Sequence, residues 1–315
     1  KGGLIDRTKP INFYFNGRKI GAFKGDSIAS ALLASGIHFI GRSFKYHRPR
    51  GIFSCGSEEP NALLEIGEKE WKCPNTRATT EEVSENLLAK SQNYKGSLHL
   101  DWLSINDFFS AFLSAGFYYK TFMWPKLFWE KLYEPAIRDV SGLGTLSGLD
   151  DIDTYEKGYL HCDILIIGAG PAGLLAADIA SRTRARIIIA DEDWLPGGRL
   201  NFEDLLINSL TGSDWASQTY KHLIDMPNVR FMKRTTVYGS FDHGIFGAIE
   251  RTAEIQKDVN KNKASSVLWK IYAKQSILCT GSIERGIAFE NNDRPGIMLA
   301  GSIRGYVNRF AVSPG

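Results

Sequence analysis

Gly168-Ala169-Gly170-Pro171-Ala172-Gly173, followed about 20 residues later by Asp191, is a residue set suited to holding two linked phosphates and a ribose. Gly168 permits a sharp turn off a preceding strand. Gly170 lacks a Cβ, so a pyrophosphate can approach the backbone and sit at the positive N-terminus of the following helix. Gly173 lets that helix lie close to the strands, and Ala176, Ala177 and Ala180 continue the small-residue face at helical spacing. Asp191 is placed to accept hydrogen bonds from a ribose diol, so the set points to an adenine dinucleotide. A carboxylate there repels a 2′-phosphate, which favours NAD or FAD over NADP. Glu192 and Asp193 add to the repulsion, and Arg199 softens it.

A lone Gly-rich turn often serves only to reverse the chain, so the elements around it decide. Here an apolar strand (Ile164, Leu165, Ile166, Ile167) precedes the glycines, a small-residue helix follows them, and a second apolar strand (Ile187, Ile188, Ile189) leads into the acid. Pro196-Gly197-Gly198-Arg199 then forms a turn whose backbone donors can meet phosphate or ribose oxygens. A helix over 214–224 leads to a strand at Val229-Arg230-Phe231 and another at Thr235-Thr236-Val237-Tyr238, where the backbone of Val237 is the candidate reader of the adenine edge. Residues 245–278 read as a β-meander with a charged hairpin loop at 257–264. It closes on an apolar strand ending in Thr280-Gly281, as the nucleotide domains of two-dinucleotide flavoproteins do.

The first part of the chain reads differently. Ile11 to Phe15 alternates, Asn16-Gly17 is a strong two-residue hairpin turn, and 18–23 returns as a strand. Asp26 or Ser27 caps a short helix over 28–35 that ends at Gly36. Strand, hairpin and helix in this order predict a β-grasp unit like that of plant-type ferredoxins. A [2Fe–2S] cluster of that type takes four thiolates, three of them spaced C-x4-C-x2-C, and the relevant loop holds Cys55 alone, with Cys73 eighteen residues on. The unit is therefore expected to be cluster-free. Between them, the loop 44–51 carries His47, Arg48 and Arg50; it either grips a phosphate or carboxylate, pairs with an acidic partner surface, or is a solvated turn, with His47 structural.

Residues 80–160 read as helical and aromatic-rich. Thr79-Thr80 and two carboxylates predict a helix over 81–89, and Phe108, Phe109 and Phe112 line one face of another over 106–113. The aromatic run 116–125 suits a core or a subunit contact. Asp150-Asp151-Ile152-Asp153 lacks the remainder of a calcium loop and reads as a solvated linker. The expected fold class is α/β: a β-grasp, ferredoxin-like domain over 1–95, a helical linker over 96–160, and a Rossmann-like two-dinucleotide nucleotide domain over 161–315, incomplete at its C-terminal side.

Composition sets outer bounds. At 315 residues the chain suits about two or three compact units. A formal charge of +3 makes no case for nucleic-acid binding. The four cysteines, Cys55, Cys73, Cys162 and Cys279, have neither disulfide-framework nor zinc spacing, so no metal site is expected and a reducing cytoplasm is the simplest compartment. No secretory signal or bilayer-length apolar run is visible, and the first and last residues suggest a piece of a longer polypeptide.

Beyond the Gly-rich turn, the segments 48–53, 59–62, 74–79, 116–123 and 291–296 are specific, and with them the chain resembles the N-terminal part of the alpha subunits of heterotetrameric sarcosine oxidases over essentially its whole length. The resemblance implies a cytoplasmic enzyme with beta, gamma and delta partner subunits that oxidises the small amine sarcosine to glycine, hydrogen peroxide and formaldehyde or 5,10-methylenetetrahydrofolate. It implies NAD in the alpha subunit, FMN at the alpha–beta boundary, FAD in the beta subunit, and tetrahydrofolate on a C-terminal part outside these residues. It carries NAD contacts onto Ala172, Asp191, Glu192, Asp193, Arg199 and Val237. Arg199 departs from the smaller hydroxyl residue found there in the family, and Thr183-Arg184-Ala185 lacks the glycine usual before the second strand. The catalytic residues are not assigned to this chain, since no acid–base pair, nucleophile triad or metal cluster is visible. Two other readings stay open: a subunit of a related proline, opine or glycine dehydrogenase or oxidase complex binding FAD, and a scaffold whose dinucleotide never turns over.

Overall fold

The computed structural model describes residues 2–113, 116, 124–140, 144–252 and 264–314. Its contacts divide into two compact units, one built on Ile5–Asp151 and Arg285–Ile303, the other on Ile152–Glu284 and Arg304–Ala311. Of the linker expected over 96–160, the part up to Asp151 clusters with the first unit, where Asp101 meets His47 at 2.6 Å and the Leu113 carbonyl accepts the Tyr46 hydroxyl at 2.9 Å, and the part from Ile152 clusters with the second.

In the first unit, β1 (Asp6–Phe15) and β2 (Arg18–Lys24) pair antiparallel with Phe15 opposite Arg18. Asn16 and Gly17 both have positive φ, 51° and 79°, which is the backbone a two-residue hairpin demands. Helix α1 (Ile28–Ala34) starts at Ser27, whose side chain accepts the Ser30 amide in a capping box, and it buries Ile28, Leu32 and Leu33. After a small ribbon of β3 (Gly41–Arg42) and β4 (Pro49–Arg50), the strands β5 (Leu63–Ile66), β6 (Cys73–Arg77) and β7 (Leu88–Ser91) complete a sheet of order β2-β1-β7-β5-β6. This is the β-grasp arrangement, with Phe13, Leu32, Leu64, Ile66 and Leu87 fully buried in its core.

Two expectations for this unit fail. The helix over 81–89 is absent: Asn86 stands at φ 61°, outside helical backbone, and Leu88 and Ala89 pair with Tyr14 and Phe15 on one side while Ala89 to Ser91 pair with β5 on the other. Sheet pairing overrides the local capping signal. The face of 106–113 is broken too, because α2 (Ile105–Phe108) stops and a 3-10 turn over Ser110–Phe112 follows, leaving Phe108 86% exposed. Farther on, α3 spans Glu134–Val140. Most of the aromatic run 116–125 and of the charged loop 257–264 lies outside the described residues.

The second unit runs β8 (Tyr155–Ile167), α4 (Pro171–Ser181), β9 (Ile187–Ala190), a small hairpin β10 (Leu206–Ile207) and β11 (Leu210–Thr211), α5 (Gly212–Ile224), β12 (Val229–Met232), β13 (Thr235–Phe241), β14 (Ile245–Arg251) and β15 (Ser266–Leu278). Among the described residues the sheet order is β12-β9-β8-β15-β14-β13, parallel through the first four strands and antiparallel through the meander. Strand β9 shows why its apolar run is unbroken. Ile187 and Ile189 enter a core with Leu174, Ala177 and Leu223, while Ile188 and Ala190 enter another with Leu165, Met232 and Phe246.

Strand β8 begins nine residues before the expected apolar stretch, because the pairing of Tyr155 through Cys162 with Ser266 through Ala273 of β15 extends through exposed positions. Within it, Gly158 lies under the Trp269 ring so closely that a Cβ would overlap the ring. The indole Nε1 donates to Glu250 at 2.7 Å, and Arg230 stacks 4.8 Å from the ring centre. The glycine-free turn at 183–185 is held by Asn228, whose Nδ2 lies 3.0–3.1 Å from the carbonyls of Ser181, Thr183 and Ala185. The chain rejoins this unit at Arg304, within α6 (Ala300–Asn308), and stays in it through Arg309. Among the described residues no helix is long and apolar enough to cross a membrane.

Candidate functional site

Strand β8 runs on to β9 on one side, while its other parallel neighbour, β15, is reached from the meander, so the strand order breaks beside the carboxyl end of β8. Such a switch point opens the crevice in which α/β sheets bind ligands. The Gly-rich turn stands there. Gly168 has φ 101°, and a Cβ on it would overlap the Cys279 carbonyl oxygen. A Cβ on Gly173 would overlap the Gly168 carbonyl oxygen and lie 3.4 Å from the Cys279 side chain, so the third glycine closes the first turn of α4 onto the turn before it. Gly170 differs: its Cβ would meet nothing within 4 Å.

That open space faces the leading end of α4. Gly170 is its N-cap, no side chain caps it, Pro171 occupies the first turn, and Ala172 is exposed. The helix thus presents uncapped amides and the positive end of its dipole beside a glycine with room over it, an arrangement that fits a pyrophosphate. Thr280 adjoins the turn, its amide 3.2 Å from where a Gly168 Cβ would stand, and Gly281 at φ 70° has nothing within 4 Å of its Cβ position. Gly198, at φ 52°, places its Cβ position 3.1 Å from the Gly170 Cα, while the Gly197 amide donates to the Ala169 carbonyl at 2.9 Å. The second glycine pair packs onto the first, and the Gly197 donor is spent in doing so.

Asp191 ends β9 and folds back on the turn. One carboxylate oxygen accepts the Ala169 amide, the other accepts the Asp193 amide at 2.8 Å, and the Asp191 carbonyl accepts from Thr235 at 2.8 Å. An ionised carboxylate has about four acceptor positions, so capacity remains for a diol. Burial pushes its carboxyl up to about 6, helped by the charges of Asp193 and Glu192 and opposed by the two amides. Val237 lies two residues beyond Thr235, on the edge strand β13 opposite Ala248, with its side chain against the core. An edge strand leaves alternate amides and carbonyls unpaired for an adenine edge.

Other expected residues stand differently. Glu192 is exposed. Arg199 is exposed and turns to Glu203 at 3.8 Å, so it is not the cation that softens the acidic loop. That role falls to Arg309, whose guanidinium takes both oxygens of Asp193 at 2.5 and 2.8 Å. Asp193, expected as a cofactor contact, is thereby committed to the protein. Nothing local in sequence signals Arg309, which lies 116 residues from its partner. In the first unit the Arg48–Arg50 pair does grip a carboxylate, that of Asp293, with Arg48 also donating to Asn291 at 2.8 Å. His47 is buried against Asp101.

Fold and site together define the class: a doubly wound nucleotide-domain protein carrying a β-grasp unit. The family described as "2Fe-2S iron-sulfur cluster binding domain" matches residues 8–94. The chain is homologous over its full length to sarcosine oxidase subunit alpha, with 50% identity to that of Rhizobium meliloti (strain 1021) and 35% to that of Corynebacterium sp. (strain U-96). It spans 32% and 28% of those relatives' lengths. L-Proline dehydrogenase from P. horikoshii shares the fold, with a TM-score of 0.62 at 20% identity over 98% of this chain and 48% of that one.

The segment matched to the cluster-binding family holds Cys55, which is buried, and Cys73, which is exposed. A cluster of the plant type takes four cysteines, so the donor set here does not fit one. Among the described residues no group of three or more His, Cys, Asp or Glu could hold a metal ion.

Proposed function

We propose that the second unit holds NAD and that the chain is the dinucleotide-binding portion of the alpha subunit of a multisubunit, cytoplasmic sarcosine oxidase. The observation that carries this reading is the uncapped leading end of α4 with open space over Gly170 and the Asp191 carboxylate bonded to the same turn. Similarity of this whole chain to 32% and 28% of the lengths of two sarcosine oxidase alpha subunits supports the choice of complex.

In this reading the amides of Ala172 and Gly173 meet the pyrophosphate, Asp191 receives the adenosine ribose diol, and the β13 backbone at Val237 reads the adenine. Gly198, Thr280 and Gly281 wall the crevice. Beta, gamma and delta subunits complete the enzyme, with FMN at the alpha–beta boundary, FAD in the beta subunit, and tetrahydrofolate on a part of the alpha subunit outside these residues. The bound flavins supply the acceptor for oxidation of the sarcosine C–N unit; this chain's own contribution is to bind and orient a dinucleotide and exclude water from it. The β-grasp unit is a cluster-free structural module.

The test is the assembled complex. NAD released on denaturation, found at one per alpha chain, supports the reading. FAD from the alpha chain turns it toward the proline, opine or glycine enzymes, and NADH accumulation excludes a passive nucleotide. Iron and acid-labile sulfide assigned to the alpha chain would overturn the cluster-free module.

A further inference from the structure

We propose that Arg309 and Asp193 form a clamp that does not touch the dinucleotide but positions Asp191 to receive its ribose; this rests on the pocket proposed above. Both carboxylate oxygens of Asp193 are engaged by the protein. Its Oδ2 takes Arg309 Nη1 at 2.5 Å, and its Oδ1 takes Nη2 at 2.8 Å together with the Leu195 amide at 3.1 Å. The guanidinium is itself built in: its side chain is 5% exposed and lies 4.6 Å from the centre of Trp194 and 5.0 Å from that of Phe310. A planar, bidentate pair stacked between aromatic rings fixes a loop far better than a lysine would.

The clamp acts on Asp191 through the backbone. With its side chain anchored, Asp193 donates its amide to Asp191 at 2.8 Å and accepts the Arg234 amide at its carbonyl at 3.1 Å. The Asp191 carboxylate therefore points where the 191–193 turn holds it. It also acts through charge. The charged groups facing Asp191 are Glu192 and Asp193 on its own loop; the Gly-rich turn offers the Ala169 amide, and the compensating cation behind Asp193 is Arg309. Removing Arg309 exposes Asp191 to the full Asp193 charge, whereas removing the Asp193 charge relieves it. These two changes have opposite signs, which a merely structural contact does not produce.

The experiment uses the full-length polypeptide in its complex, stripped of nucleotide, and titrates NAD between about pH 5 and 8. Wild type is expected to lose affinity below a midpoint near 6. Arg309→Met should raise that midpoint by roughly one unit and weaken binding about tenfold at neutral pH. Asp193→Asn should lower the midpoint while retaining NAD, Arg309→Lys should restore part of the Arg309→Met loss, and Arg309→Met with Asp193→Asn, which leaves no unpaired buried charge, keeps the test open if the single variant misfolds. Coincident midpoints, or loss of NAD in Asp193→Asn without a shift, overturn the clamp while leaving the pocket standing. Failure of wild type to bind NAD at any pH overturns both.

Discussion

The carboxylate of Asp191 accepts the backbone amide of Ala169, 22 residues earlier, so the acid that ends β9 and the Gly-rich turn that ends β8 form one bonded unit. Replacing Asp191 with Ala removes a charged acceptor from both the turn and the ribose. Dinucleotide retention should weaken by about 1–3 kcal/mol, read as cofactor occupancy after gel filtration. Full occupancy in the variant would contradict the assignment.

The same carboxyl sets a pH dependence. Its folded value, about 6, lies above the roughly 3.9 of an unfolded Asp, so its favourable contribution to the fold is complete below the lower value and is lost as pH rises through the upper one. A ribose diol donates to the ionised form and recovers that loss. The thermal shift on adding NAD should therefore grow between about pH 5 and 7, and a shift independent of pH would count against Asp191 as the ribose acceptor.

Gly170 and Gly173 separate binding from folding. Gly170→Ala meets open space, so the melting temperature should hold while NAD is lost to a methyl in the phosphate's place. Gly173→Ala drives a methyl into the Gly168 carbonyl, and destabilisation of about 1–3 kcal/mol or more is expected in denaturant unfolding. Equal behaviour of the two variants would refute the division of roles.

Asp293→Ala tests the carboxylate grip of the first unit. It leaves the Arg48 and Arg50 guanidiniums without the partner that offsets the burial of Arg50, which already lowers that group's proton affinity. Because both side chains keep partial contact with water, the cost should be about 1–3 kcal/mol rather than that of a fully buried pair, measured as a drop in denaturant midpoint.

Local chemistry made much of this fold readable. Asn16-Gly17 needs no distant partner to adopt two positive φ angles, and Gly168, Gly173 and the β9 isoleucines each declare their role within one strand–turn–helix unit. What escaped depends on residues far away. Leu88 and Ala89 become a strand only because Tyr14 and Leu64-to-Ile66 flank them, against a helix-start signal just upstream. The exposed half of β8 is ordered by residues of β15, and Asp193 reads as a ligand contact until Arg309 arrives from the other side of the unit.

The Trp269 indole fills the volume that Gly158 leaves empty, one ring standing in for a side chain on the neighbouring strand. The two positions are thus a single steric unit shared between β8 and β15. During divergence, a lineage can enlarge residue 158 only after trimming residue 269, so the order of substitutions is constrained even where either endpoint folds.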